Sequence, residues 1–242
     1  MKLSRAAFVG CIFFLICISG TRAQPSPDSI LYRESLSKIR QIYFNGIGDN
    51  AQLYHGTEFI RNGQKANGFP FYEGNDILTG SISYQGEIYP HQNFYYNLVS
   101  DELITNNYAN NALIVLSIDK IDSFTVQTHV FVPLPAGKSR GLEKDGYYDK
   151  LLPGEPGLYC RREKRLVTGT GSEEAKYTQY NYYFIRLKNV FYSVEGKSEL
   201  LEILKDQKDV LKKYIRSNKL NFKKDLENSL VLTTIYYSQP KH

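Results

Sequence analysis

The chain has no tryptophan, a single methionine at position 1, three cysteines and four histidines in 242 residues. These scarcities narrow the chemistry. His55, His91, His129 and His242 are scattered, with no His-x-x-x-His and no Cys-x-x-Cys spacing, so neither a metal site nor a cofactor is expected. No Gly-x-Ser-x-Gly elbow occurs; Gly169-Thr-Gly-Ser-Glu173 has neither its spacing nor its strand-to-helix setting. Beyond residue 23 no apolar run approaches the ~20 residues of a membrane-spanning helix. The missing tryptophan also argues mildly against sugar stacking.

What is present begins with a leader pattern. Lys2 and Arg5 precede an uncharged, mostly apolar run from Ala6 to Gly20, and Thr21-Arg22-Ala23 supplies small residues at the −3 and −1 positions before Gln24. Residues 1–23 therefore read as a signal peptide. The competing readings are an uncleaved anchor and a lipoprotein; of Cys11 and Cys17, only Cys11 follows a small residue. The expected location is periplasmic, outer-membrane-associated or secreted. Cleavage lowers the formal charge from +5 to +2 by removing Lys2, Arg5 and Arg22, which leaves no case for nucleic acid. Cys160 would be the one remaining cysteine. An internal disulfide is then impossible, and the fold must rest on its core.

Asp28 or Ser29 can cap a helix carrying Ile30, Leu36, Ile39, Ile42 and Tyr43 on one face, ended by Gly46 and Gly48. From Gln52 the texture changes to short apolar or aromatic runs between turn residues. Gly80 to Tyr89 predicts a hairpin about Gln85-Gly86, with Ile82, Tyr84 and Tyr89 on one face. Phe94–Val99 and Glu102–Thr105 predict a second, about Ser100-Asp101, and Ala112–Ile118 a further strand. Phe124–Val126 pairs with His129–Val132 across Gln127-Thr128. Tyr147–Leu152 pairs with Leu158–Lys164 around Pro153-Gly154-Glu155-Pro156. Tyr182–Leu187 and Val190–Val194 turn at Lys188-Asn189. Pro133–Gly146 is a long connection, read as a mobile loop or a functional lid, and residues 168–176 as another exposed loop. About ten short strands predict an α+β fold, mainly antiparallel: a meander bent into a sandwich or partial barrel.

Residues 196–242 read as a helical tail packed on the sheet of 24–195. Ser198 serves as the N-cap, Leu200 to Ile215 recur at helical spacing, and a third segment runs from Asp225 to Tyr237. This tail holds ten Lys or Arg against six Asp or Glu, a solvated face or a patch for an anionic partner.

Leu53-Tyr-His-Gly-Thr-Glu-Phe59, Gly80 to Tyr89, Tyr96-Asn-Leu-Val-Ser-Asp-Glu-Leu103 and Ile215-Arg-Ser-Asn-Lys-Leu-Asn-Phe222 together resemble an uncharacterised family of exported proteins typical of Bacteroidota. The departures are His at position 55, more often Asn in that family, and a turn at 127–128 without Asn-Gly. The resemblance implies an envelope or secreted location in a Gram-negative bacterium, and no reaction.

Candidate chemistry is thin. Gly137-Lys-Ser139 and Gly196-Lys-Ser198 look like the end of a phosphate loop, but Val132 and Phe191 stand where its first glycine belongs. Cys160 and His129 are the one Cys/His pair able to meet inside a sheet, although Cys160 alternates with Leu158 as a buried, inert thiol would. His55 and Glu58 are close in sequence, and Asp101 and Glu102, adjacent on a strand, would face opposite sides. Twenty tyrosines and thirteen phenylalanines suit either cross-strand packing or an aromatic ligand face. The reading is an exported envelope protein that binds a protein, lipid or surface polymer without catalysis, with catalytic residues unknown. The alternatives are an extracytoplasmic hydrolase assembled from dispersed residues, under loop 133–146, and a carrier of lipids or other apolar ligands.

Overall fold

The computed structural model describes Ser35, Ile39, Leu53 and residues 56–61, 66–107, 112–168 and 174–239. The chain divides into two compact units, Met1–Ile47 and Gly48–His242, and the second carries the sheet. The expected signal peptide, nearly all of the expected first helix, His55 and His242 lie outside the described residues.

Eleven strands form one antiparallel sheet: β1 (Thr57–Glu58), β2 (Leu78–Tyr84), β3 (Glu87–Asn97), β4 (Glu102–Asn106), β5 (Leu113–Val115), β6 (Ile121–Val126), β7 (His129–Leu134), β8 (Gly146–Leu152), β9 (Gly157–Val167), β10 (Lys176–Leu187) and β11 (Val190–Val194). Their order is β1-β5-β4-β3-β2-β6-β7-β8-β9-β10-β11. The α+β, mainly antiparallel expectation holds. The path is two meanders rather than one, because β6 returns beside β2 instead of β5. The free edge of β5 is already taken by β1, and a 3₁₀ turn at Ile118–Lys120 redirects the chain.

Turn chemistry sets most registers. Gln85 (φ 52°) and Gly86 (φ 80°) are both left-handed, as are Lys188 and Asn189, so these two-residue turns match the twist of their flanking strands. Between β3 and β4 the expected two-residue turn is four residues long, Leu98 to Asp101, because the Asn97 side chain accepts the Val99 amide at 3.0 Å and begins the turn early. β10 starts at Lys176, well before the expected Tyr182, since β9 remains a partner along its whole length.

The sheet curls strongly. Phe94, Tyr96, Phe124, Phe131 and Tyr147 fill its concave side and are fully buried, with Phe124 stacked on Phe131 at 4.8 Å and Tyr147 edge-on to Phe124 at 5.1 Å. One end of the curl is drawn together. The Lys164 amide donates to the Leu98 carbonyl at 2.9 Å. Segment 67–72 bridges the gap, the Tyr72 amide donating to Tyr96 and the Tyr177 amide to Asn67. Asp101 accepts from the Tyr96 hydroxyl at 2.7 Å and the Tyr147 amide at 3.1 Å.

Three helices follow β11: α1 (Lys197–Ile203), α2 (Lys208–Ser217) and α3 (Leu226–Ser238). Gly196 rather than Ser198 is the N-cap of α1, so Ser198 lies in the first turn. Asp225 caps α3, its side chain accepting the Asn228 amide. Leu200, Leu204, Leu211 and Leu230 bury their side chains against Leu158, Cys160, Ile185 and Val194 of the sheet, each contributing roughly 1.5–3 kcal/mol. Among the described residues no helix is long and apolar enough to cross a membrane.

Close strand packing makes Gly80 irreplaceable. A Cβ there would collide with the Thr125 carbonyl oxygen on β6, whereas at Gly86 it would meet nothing within 4 Å. Urea unfolding should show a loss of about 3 kcal/mol or more for Gly80→Ala. For Gly86→Ala, where left-handed strain is the main cost, about 1 kcal/mol is expected.

Candidate functional site

Strand register lines up Phe131, Asp149, Cys160 and Tyr183 in one row across the concave side, from β7 to β10. His129 and Arg162, each two residues from a member of this row, point to the same side. Asp149 is wholly buried. Its Oδ2 accepts from His129 Nδ1 at 2.7 Å, Arg162 Nη2 at 2.7 Å and Arg162 Nε at 3.0 Å. From α3, Glu227 accepts Arg162 Nη2 at 3.1 Å and the Tyr183 hydroxyl at 3.0 Å. The other Asp149 oxygen, Oδ1, is buried without a hydrogen-bond partner among the described residues, because all three donors converge on Oδ2.

The pair singled out in the sequence, Cys160 and His129, thus reaches one neighbourhood, and its chemistry is quenched there. Burial pushes the Cys160 thiol far above its ordinary value, against the pull of Arg162, so it stays protonated and unreactive. Arg162 is disfavoured by burial, but its carboxylate partners Glu227 and Asp149 outweigh that and hold it firmly charged. The His129 ring makes one hydrogen bond among the described residues, to Asp149. That contact resembles the orienting half of a catalytic triad. The carboxylate is shared with a guanidinium, and among the described residues no activated nucleophile completes it. Sequence reasoning missed Asp149, Arg162 and Glu227. The available signal was alternation: in the β8–β9 hairpin, Asp149 follows Tyr147 and Arg162 follows Cys160 at inward positions.

The opposite, outer face is built differently. The connection after β7, expected to be a loop or lid, packs down as a strap. Leu142 is buried with Tyr148, Tyr159 and Phe191, and the Arg140 carbonyl accepts the Phe191 amide of edge strand β11 at 2.8 Å. Beside the strap lies a cleft of about 430 Å³, lined among others by Glu143, Lys144, Arg161, Glu163, Tyr182 and Glu195. Glu163 is its electrostatic centre, accepting from Arg161 at 2.7 Å, Arg165 at 3.2 Å and Lys144 at 3.3 Å. Burial alone would raise the Glu163 pKa, but these cations overcome it and hold the carboxyl below 4.5.

The remaining candidates stand apart. Asp101 lies in the β3–β4 turn and Glu102 begins β4, where it accepts from Ser100. His91 is exposed on β3, Glu58 on β1, and Gly137 to Ser139 form part of the strap rather than a loop before a helix. No group of three or more His, Cys, Asp or Glu side chains among the described residues is placed to hold a metal ion.

No family model, curated protein or solved structure matches the chain.

Replacing Asp149 by Ala should cost about 3–5 kcal/mol, since it strands a buried guanidinium; Asp149→Leu with Arg162→Met should cost less than that single change, read from urea midpoints. Cys160 should resist a thiol reagent in the folded protein and react only in denaturant.

The carboxylates flanking Arg161 titrate with opposite signs. Burial, opposed by Tyr96, Arg161 and the Tyr147 amide, raises Asp101 above 3.8, so its share of stability grows as pH falls through that raised value. Glu163, depressed below 4.5, contributes above that pH and loses its share as pH falls through the folded-state value. Acidification from neutrality should therefore widen the stability advantage of the natural chain over Asp101→Asn and narrow its advantage over Glu163→Gln.

Proposed function

We propose that the chain is an exported envelope protein that works by binding, with the outer-face cleft beside the strap as its ligand site. The leader pattern of residues 1–23 supports export. One observation carries the binding reading: the Cys160 thiol and the Asp149 carboxylate beside His129 are buried in the interior, while the accessible cleft offers aromatic and largely paired ionic side chains.

A glycoside hydrolase in the cleft would need a carboxyl group kept protonated near neutral pH as general acid. The cations around Glu163 work in the opposite direction. A carrier would need an apolar cavity in the curl, and stacked rings occupy that space.

Two measurements test this reading. Mass analysis of the protein from its own cells should give a chain beginning at Gln24 and located outside the cytoplasm; an intact Met1 form in the cytoplasm would overturn export. Purified residues 24–242 should show no turnover of ester, peptide or glycoside substrates. Turnover abolished by Glu143→Gln with Glu195→Gln would establish the hydrolase instead.

A further inference from the structure

β10 presents Tyr180, Tyr182 and Phe184 on the outer face at alternate positions, so their rings repeat about every 7 Å along the strand. Tyr182 is 36% exposed. Arg165 lies over the Tyr180 ring at 5.0 Å and donates to the Tyr182 hydroxyl at 2.8 Å, fixing the row in place. Tyr182 and Phe184 form part of the cleft wall, facing Glu143 and Lys144 of the strap and Glu195 beyond β11.

The ionic lining has no surplus of either sign. Lys144, Arg161 and Arg165 are matched by Glu143, Glu163 and Glu195. All three cations are engaged by Glu163, and Arg161 also donates to the Asp145 carbonyl at 2.6 Å. A polyanion would find no uncommitted positive charge, and an acyl chain would have to desolvate this ionic wall. Glu143 and Glu195 are exposed and have no ion-pair partner among the described residues. The cleft therefore offers two free carboxylate acceptors, guanidinium N–H edges, the exposed Tyr182 ring and, beside it, the partly buried Phe184 that packs edge-on with Tyr148.

That set matches a chain of sugar rings. Adjacent hydroxyls each donate and accept, so they pair with a carboxylate and a guanidinium together through charge-assisted hydrogen bonds. The C–H face of a pyranose covers an aromatic ring. We infer that the cleft is a subsite for an uncharged oligosaccharide, stacked on Tyr182 and Phe184 and hydrogen-bonded by Glu143 and Glu195. This rests on the cleft being a binding site. Tyrosine and phenylalanine here supply the stacking surface that the absence of tryptophan had argued against.

The test is amide NMR titration of residues 24–242 with neutral gluco-, manno-, galacto- and N-acetylglucosamine oligomers. Hyaluronan and glucosamine oligomers serve as anionic and cationic probes. A neutral oligomer should perturb β10, the strap and Glu195, with affinity reduced about tenfold by Tyr182→Ala and by Glu195→Gln; both side chains are exposed, so circular dichroism should stay unchanged. Binding unaffected by these variants, or no binding of any neutral oligomer, would overturn the inference. Preference for a charged probe would overturn the ligand class and leave the binding reading standing. New reducing ends released from a bound probe would overturn that reading itself.

Discussion

Arg162 sits where the curled sheet meets its helices, held by Asp149 from β8 on one side and Glu227 from α3 on the other. Moving these charges out of water costs several kcal/mol each, and attraction repays it only where the geometry is good and the remaining hydrogen bonds are made. The chain meets much of that condition by drawing donors from separate strands, with Asp149 Oδ1 left unpaired among the described residues. His129 binds Asp149 from β7, and Tyr183 binds Glu227 from β10. A slip of one residue in β9 would turn Arg162 to the outer face and leave Asp149 buried beneath the helices with neither guanidinium contact. The leucines of α1, α2 and α3 supply most of the attraction between helices and sheet, but leucines tolerate sliding. The Arg162–Glu227 pair fixes where α3 stops.

This arrangement divides the molecule between its two faces. Inside, rings fill one end of the curl and leucines the other, with the charged cluster between them. Outside, the strap lays Leu142 against Tyr148, Tyr159 and Phe191 and leaves the adjoining stretch of β9 and β10 open. Gly146 connects the two sides. A side chain there would collide with both Asp101 and Arg161, so its absence lets the carboxylate that draws the curl together face an arginine of the cleft, 3.4 Å away. The cleft wall is thereby anchored to the end of the curl that Asp101 draws together.

Much of the fold is legible in the residues because local chemistry dictates it. Gln85-Gly86 and Lys188-Asn189 demand tight left-handed turns, and Asp225 caps α3 through its own side chain. The return of β6 beside β2 was not legible, since it depends on β1 occupying the far edge of β5. The strap was ambiguous for a similar reason: Leu142 in a polar stretch has no periodicity to reveal its burial. Site residues suffered most. Asp149 and Arg162 look like ordinary surface charges until two strands and a helix converge on them, and Glu143 and Glu195 share the cleft although 52 positions apart. Cys160 was legible as a buried thiol from its alternation with Leu158, whereas the carboxylate and guanidinium that engage His129 and Arg162 were not.

The central claim is that the interior cluster fastens and the outer cleft works. Hydrogen exchange of residues 24–242, with and without the neutral oligosaccharide that perturbs the cleft, tests this directly. Slowed exchange confined to the strap and the neighbouring parts of β10 and β11, with α3 unchanged, is the predicted result. Protection or loosening centred on α3, β8 and His129, with the strap unaffected, would contradict it.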